Sequence, residues 1–354
     1  MNILLLGEFS AFHKNLKDGF EDLGHKTVLA SFGDGYKNIP SDISFNPKYK
    51  GLIAKLENRI NPILSLPELK KFDVVQLINP FAFHFSFFPT EWFYKQIKNN
   101  NGKFFISACG SDAYYWQISR KKLKYGPFED TKIYDHKKKH IFLESKKAFD
   151  FNKRVIENSN GVIPVMYDYK CGYEKEKKLK KLIPLPINTN SIPFEENILE
   201  DKLTIFHGLT RYGFKGTKYV EEAFKVLKKT FGSKIEVIIK GNLPLNKYLA
   251  LLDRANIIID QVNTYSSGMN ALYSLSKGKV VLGGAESESL IAQGIESSPV
   301  VNVKPTSESI VDAIKPFIEN PQLVKKTGLE SRLFAERHHD AHKIAKKYLE
   351  IYES

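Results

Sequence analysis

The sequence predicts an α/β protein made of two doubly wound parallel-sheet domains with helices at the C-terminus. Three observations carry that expectation. Short, uniformly apolar runs rich in β-branched residues recur between stretches of helical period, the pattern of strands buried on both faces by crossover helices. The series occurs twice, on either side of a stretch, residues 184–197, that holds Pro184, Pro186 and Pro193 and shows no period. With 354 residues, the chain is long enough to bury two cores.

Strands are expected at residues 2–6, 26–30, 73–78, 103–108 and 161–165, and again at 203–207, 235–240, 256–260, 279–283 and 299–303. A helix is expected over Thr217–Phe231, where Val220, Ala223, Phe224 and Leu227 share one face and Gly216 precedes the first turn. The tail over 321–352 reads as helical, with Pro321 suited to a first turn and a second segment from about Asp340. The boundaries that follow are 1–185 for the first domain, 186–200 for the linker and 201–335 for the second domain. Residues 336–354 form a helix expected to pack back on the first domain.

Composition excludes several classes. Hydrophobic residues at 42% and charged residues at 26% are those of a globular chain, not a disordered, collagen-like or coiled-coil one. Two cysteines, Cys109 and Cys171, make neither a disulfide framework nor a four-thiolate metal site, so a reducing, cytoplasmic setting is expected. The first apolar run is too short for a signal peptide core, and no run of about 18 apolar residues follows.

The charge is one-sided. Residues 1–185 hold 31 basic and 20 acidic side chains, a net of +11, and the remainder holds 22 and 20, a net of +2. The densest block, residues 120–147, interleaves ten basic residues with Tyr125, Phe128, Tyr134 and Phe142. Such a face suits a phosphorylated substrate or an anionic membrane surface, with a solvated lysine-rich surface as the plain alternative. No nucleic-acid-binding motif is present, so nucleic acid is not an expected partner.

In open parallel sheets, ligands sit beyond the carboxyl ends of the strands. The first such loop, from Gly7 to His13, lacks G-x-G-x-x-G, which disfavours a dinucleotide oxidoreductase. Glu8, His13, His84 and Asp112 all fall on the carboxyl rim of the first domain. In the second, the loop from Gly208 to Thr217 brackets Arg211 and Lys215 with glycines at a helix N-terminus, the parts of a diphosphate site.

Taken in order, His207-Gly208, Arg211, Lys215-Gly216-Thr217, Lys240-Gly241-Asn242, residues 256–260 and Ser276-Lys277-Gly278-Lys279 resemble the donor half of GT-B glycosyltransferases, most closely glycosyltransferase family 4. Gly110-Ser111-Asp112 is similar to that family's His-Gly-x-Asp segment, with Cys109 in the histidine's place. The resemblance implies two Rossmann-like domains facing a cleft. It assigns the donor diphosphate to Arg211, Lys215 and Gly216, and puts Gly241 and Asn242 beside the base. It also implies a glycan or lipid-linked acceptor in surface polysaccharide or glycoconjugate synthesis, and no metal or cofactor beyond the nucleotide-diphosphate sugar substrate. The basic, aromatic face of the first domain suits such an acceptor at the inner membrane surface.

One departure matters. The family's Glu-x7-Glu pair falls on Tyr265 and Tyr273, which form hydrogen bonds but supply no carboxylate charge to an oxocarbenium-like transition state. Glu286 is therefore the expected donor-sugar contact. Asp260, Ser267 and Gly268 line the donor side, and Asp112, His13 or Glu8 serves as acceptor base. The missing pair also leaves open a non-catalytic sugar-nucleotide or glycan-binding subunit, or an epimerase on the same fold.

Overall fold

A computed structural model describes all residues except Ser86, His136, Lys137, Asn242 and Pro244, and describes Tyr36 and Leu245 in backbone only. The chain divides into two compact units, one of residues 1–119, 143–188 and 341–354, the other of residues 120–142 and 189–340.

The first unit holds a six-stranded sheet. Its strands are β1 (Asn2–Leu6), β2 (Lys26–Ser31), β3 (Ile43–Ser44), β4 (Val74–Leu77), β5 (Lys103–Ala108) and β6 (Gly161–Pro164), in the order β3-β2-β1-β4-β5-β6. Every pairing is parallel, with Leu4 opposite Val28 on one side and Val75 on the other. The apolar runs are strands because both faces are covered: β1 from Ile3 to Leu6 is fully buried. Only β3, a two-residue edge strand, has no counterpart among the sequence expectations.

The C-terminal helix Ala341–Glu353 completes this core. Tyr348 and Tyr352 are buried against Phe20, and Tyr352 also meets Phe105 and donates its hydroxyl to Gln76 at 3.0 Å.

The second unit holds a five-stranded parallel sheet of β7 (Leu203–Leu209), β8 (Ile235–Gly241), β9 (Ile257–Ile259), β10 (Val280–Gly283) and β11 (Val301–Asn302), ordered β11-β10-β9-β7-β8. Helix Thr217–Phe231 packs Val220, Ala223, Phe224 and Leu227 into its core, the face expected from their spacing.

The unit boundaries differ from the sequence expectation in one respect that matters below. Residues 120–142, read as part of the first domain's basic face, pack with the second unit. Phe128 is buried there, Tyr125 stacks on Tyr265 and Tyr134 packs on Tyr212.

Strand order places the sites. In each sheet the winding reverses once, between β1 and β4 in the first and between β7 and β9 in the second, and ligand crevices open at the carboxyl ends of such strand pairs. Glu8 follows β1; Arg211 follows β7 and Asp260 follows β9.

Candidate functional site

The second unit's reversal point is built from charge. Beyond β7, Arg211 caps a single helical turn, Tyr212–Lys215, and Gly216 links that turn to helix Thr217–Phe231. Gly216 has φ +71°, and a Cβ there would lie 2.4 Å from Val262 Cγ2, so both backbone and space require glycine. The loop is less open than its glycines suggest. Lys215 N–H donates to Arg211 O, and Gly216 N–H to Gly213 O, so these two amides are already engaged within the loop.

The two cations differ. Arg211 is exposed, its guanidinium 3.7 Å above the Phe214 ring. Lys215 is buried, its Nζ 3.1 Å from Asp260 Oδ1, with 9% and 3% of the two side chains exposed. Asp260 Oδ1 also accepts from Asn270 Nδ2 at 3.0 Å, and Asn270 Oδ1 accepts from the Tyr248 hydroxyl. Breaking one side of a buried pair costs about 3–5 kcal/mol, so Lys215 can serve an anion only while it keeps Asp260.

His207 pins the frame across the reversal. Its Nδ1 meets Ile259 O at 2.9 Å and its Nε2 meets Thr217 Oγ1 at 2.9 Å, while burial and nearby Lys215 pull its pKa down to about 4. The ring is neutral and structural.

Residues 120–142 close the loop from above. Gly213 meets the backbone of Asp130 so tightly that a Cβ would lie 2.3 Å from Asp130 O. Asp130 is buried and accepts from Lys218 Nζ at 2.6 Å and Asn263 Nδ2 at 3.2 Å, and the same Asn263 amide donates to Gly213 O at 3.0 Å. Asp130, Lys218 and Asn263 escaped the sequence reading. The signal was an acid inside a basic block, uninterpretable without the fold.

Tyr265 is also held by this segment. Its hydroxyl accepts the Lys124 N–H at 3.0 Å and its ring stacks on Tyr125 at 4.7 Å; the Tyr125 hydroxyl donates to Glu286 Oε1 at 2.6 Å. Asn302 Nδ2 donates to the same oxygen at 3.0 Å, which fixes the Glu286 carboxylate from two directions. Ser267 Oγ donates to Gly284 O, and Gly268 caps helix Met269–Ser276. Tyr273 packs half-buried on the cluster of Phe206, Leu252, Ala255 and Ile258, a packing role in the sheet's cover. Gly241 ends β8 opposite Leu209; Asn242 lies outside the described residues.

The first unit's reversal point is built from burial instead. Glu8 Oε2 accepts the Lys14 N–H at 2.8 Å, Oε1 is buried with no partner, and desolvation raises the carboxyl to about 7 against that hydrogen bond. His13 Nδ1 lies 2.7 Å from Gly7 O, its Nε2 is buried without a partner, and burial lowers its pKa to about 3. Asp112 is raised by burial to about 6, although Tyr115 N–H and the Tyr173 hydroxyl both donate to it. Burial, followed by the charges of Glu8, Asp34 and Asp112, pushes the Cys109 thiol upward. His84 stands apart, over Phe151 in a shallow groove of about 290 Å³ that Thr90 and Trp92 also line.

Neither a family model nor a curated protein matches this sequence. Solved structures do. Sucrose-phosphate synthase from Thermosynechococcus elongatus superposes over 100% of this chain and 98% of its own, with TM-score 0.65 and 13% identity. HepE from Anabaena, in complex with UDP and glucose, covers 100% and 99%, with TM-score 0.62 and 11% identity. The chain has the GT-B fold. UDP-GlcNAc 2-epimerase from Neisseria meningitidis, bound to UDP-GlcNAc, matches this GT-B chain over 99% of both, with TM-score 0.53 and 14% identity. At such identities the likeness is one of architecture, and the chemistry has to come from the side chains.

Proposed function

We propose that this chain is a glycosyltransferase that takes a sugar from a nucleotide-diphosphate sugar and delivers it to a glycan or lipid-linked acceptor. The observation that carries the reading is the Arg211 loop: a stacked, exposed guanidinium at the carboxyl end of β7, one helical turn and Gly216 ahead of a fifteen-residue helix, with a buried lysine four residues on. A leaving diphosphate there would meet a bidentate donor and the helix's positive end, each charge-assisted hydrogen bond contributing about 1.5–3 kcal/mol. UDP complexes of GT-B neighbours support the donor class.

Glu286, fixed by Tyr125 and Asn302, takes the carboxylate role that Tyr265 and Tyr273 cannot fill. On the first unit the proposal favours Glu8 over His13 and Asp112 as acceptor base. Its second oxygen is uncommitted and its pKa lies near neutral, where proton transfer is most effective, whereas His13 is too weak a base and both Asp112 oxygens are engaged. The reaction proceeds without a metal in this reading, through positioning and electrostatic stabilisation of the leaving group. Work in surface polysaccharide synthesis, in the cytoplasm at the inner membrane face and without nucleic acid, belongs to the same proposal.

Two rivals have specific support. The epimerase neighbour shares full-length architecture, and Tyr265 is engaged with Lys124 and Tyr125 where a catalytic acid is expected, which favours a non-catalytic binding subunit. Product analysis separates the three. Purified chain with UDP-, GDP- or CDP-sugars and a lipid or glycan acceptor should release nucleoside diphosphate and build a glycoside. An altered sugar still on its nucleotide, formed without acceptor, identifies an epimerase, and unchanged donor throughout identifies the subunit.

A further inference from the structure

Helix Gly51–Leu64 of the first unit faces the wrong way for a core helix. Its only buried residue is Pro62, while Leu52, Ile53, Leu56, Ile60 and Leu64 are exposed, Leu52 to 81%. At 100° per residue these five fall within an arc of about 120°, with Pro62 well outside it. The apolar stripe is therefore directed outward. Phe87 adds to it. This ring is 92% exposed, held at φ +62°, a backbone region that bulky residues rarely occupy, and Arg59 lies 5.3 Å over it.

The border of the stripe is basic. Lys48, Lys50, Lys55 and Arg59 stand against a single acid, Glu57, over residues 46–64, a net of +3, and Lys55 and Arg59 flank the apolar arc on one side. An outward apolar stripe edged by Lys and Arg, with an aromatic beside it, matches a helix lying in the plane of an anionic bilayer, its apolar side among the acyl chains and its cations at the headgroups. Among the described residues no helix is long and apolar enough to cross a membrane, so such contact would be peripheral.

We infer that helix Gly51–Leu64 together with Phe87 docks this chain on an anionic lipid surface. The membrane contact thereby moves from the basic block at 120–147, where Phe128 is buried and Tyr125 stacks on Tyr265, to an element in the first unit. The charge pattern argues against a second copy as occupant, because two such faces would bring like-charged borders together.

The test is co-sedimentation of the full chain with vesicles of phosphatidylglycerol and phosphatidylcholine in equal parts, and of phosphatidylcholine alone. The wild type should bind the anionic vesicles, and should do so less as salt rises. The variant Leu52→Ser/Leu56→Ser/Leu64→Ser, at exposed positions, should melt as the wild type does and bind about tenfold more weakly or worse. Lys55→Glu/Arg59→Glu keeps the apolar stripe and should lose binding to a similar degree. Arg211→Ala should leave lipid binding unchanged, which separates this inference from the donor-site reading. Equal sedimentation of wild type and both variants, or none with anionic vesicles, overturns it. So does a wild-type dimer that the leucine variant abolishes without any lipid binding.

Discussion

The two rims solve opposite electrostatic problems. In the second unit, Arg211 is exposed, Lys215 is paired with Asp260, and Lys218 is paired with Asp130. In the first, Glu8, His13 and Asp112 are stripped of water, and their acidities are driven toward the neutral form. The same winding reversal thus makes one site suited to holding an anion and another suited to moving a proton. Fold alone does not distinguish them.

The sharpest way to break this contrast is to unpair the charged rim. Lys215→Ala leaves Asp260 buried without its cation and should destabilise the chain by about 3–5 kcal/mol in denaturant titration. Lys215→Ala/Asp260→Asn should recover most of that loss. If the single variant is as stable as the double, the second unit's rim does not depend on pairing.

The neutral rim makes a prediction about pH. Glu8 holds its proton more tightly folded than unfolded, so the stability it contributes is full below the ordinary value of 4.5 and is lost as pH rises through about 7. That displacement corresponds to about 3 kcal/mol. Glu8→Gln, uncharged throughout, should match the wild type near pH 4 and exceed it by about that amount at pH 8. A constant difference across the range would mean Glu8 is not desolvated as described. Retaining a carboxyl at such a cost is expected where its proton is used.

A smaller effect tests the link that fixes Glu286. Tyr125→Phe removes one hydroxyl donor and should cost about 1 kcal/mol of stability while lowering sugar transfer more than donor affinity. If turnover is untouched, Glu286 is not the working carboxylate.

Much of the architecture was legible because burial on both faces leaves a signature in the strands themselves, and β1, β5 and helix Thr217–Phe231 fall at the expected residues. The edge strand Ile43–Ser44 was too short to leave one. Arg211 and Lys215 were legible as a pair, but their inequality was not, because Asp260 approaches Lys215 only through strand order. The crossing of residues 120–142 into the second unit was invisible for the same reason: Asp130 contacts Lys218 across 88 positions, and no local pattern encodes that. Tyr265 and Tyr273 were seen as a missing acid pair. Only side-chain geometry separates them, one clasped by Lys124 and Tyr125, the other packed over Phe206 and its neighbours.

The central claim is that the Arg211 loop grips a diphosphate, and calorimetric titration of UDP, GDP and CDP into the wild type and Arg211→Ala tests it directly. At least one nucleotide should bind the wild type, with affinity falling on the order of tenfold to a hundredfold in the variant. Equal affinity in the two proteins, or no binding of any of the three, would contradict it.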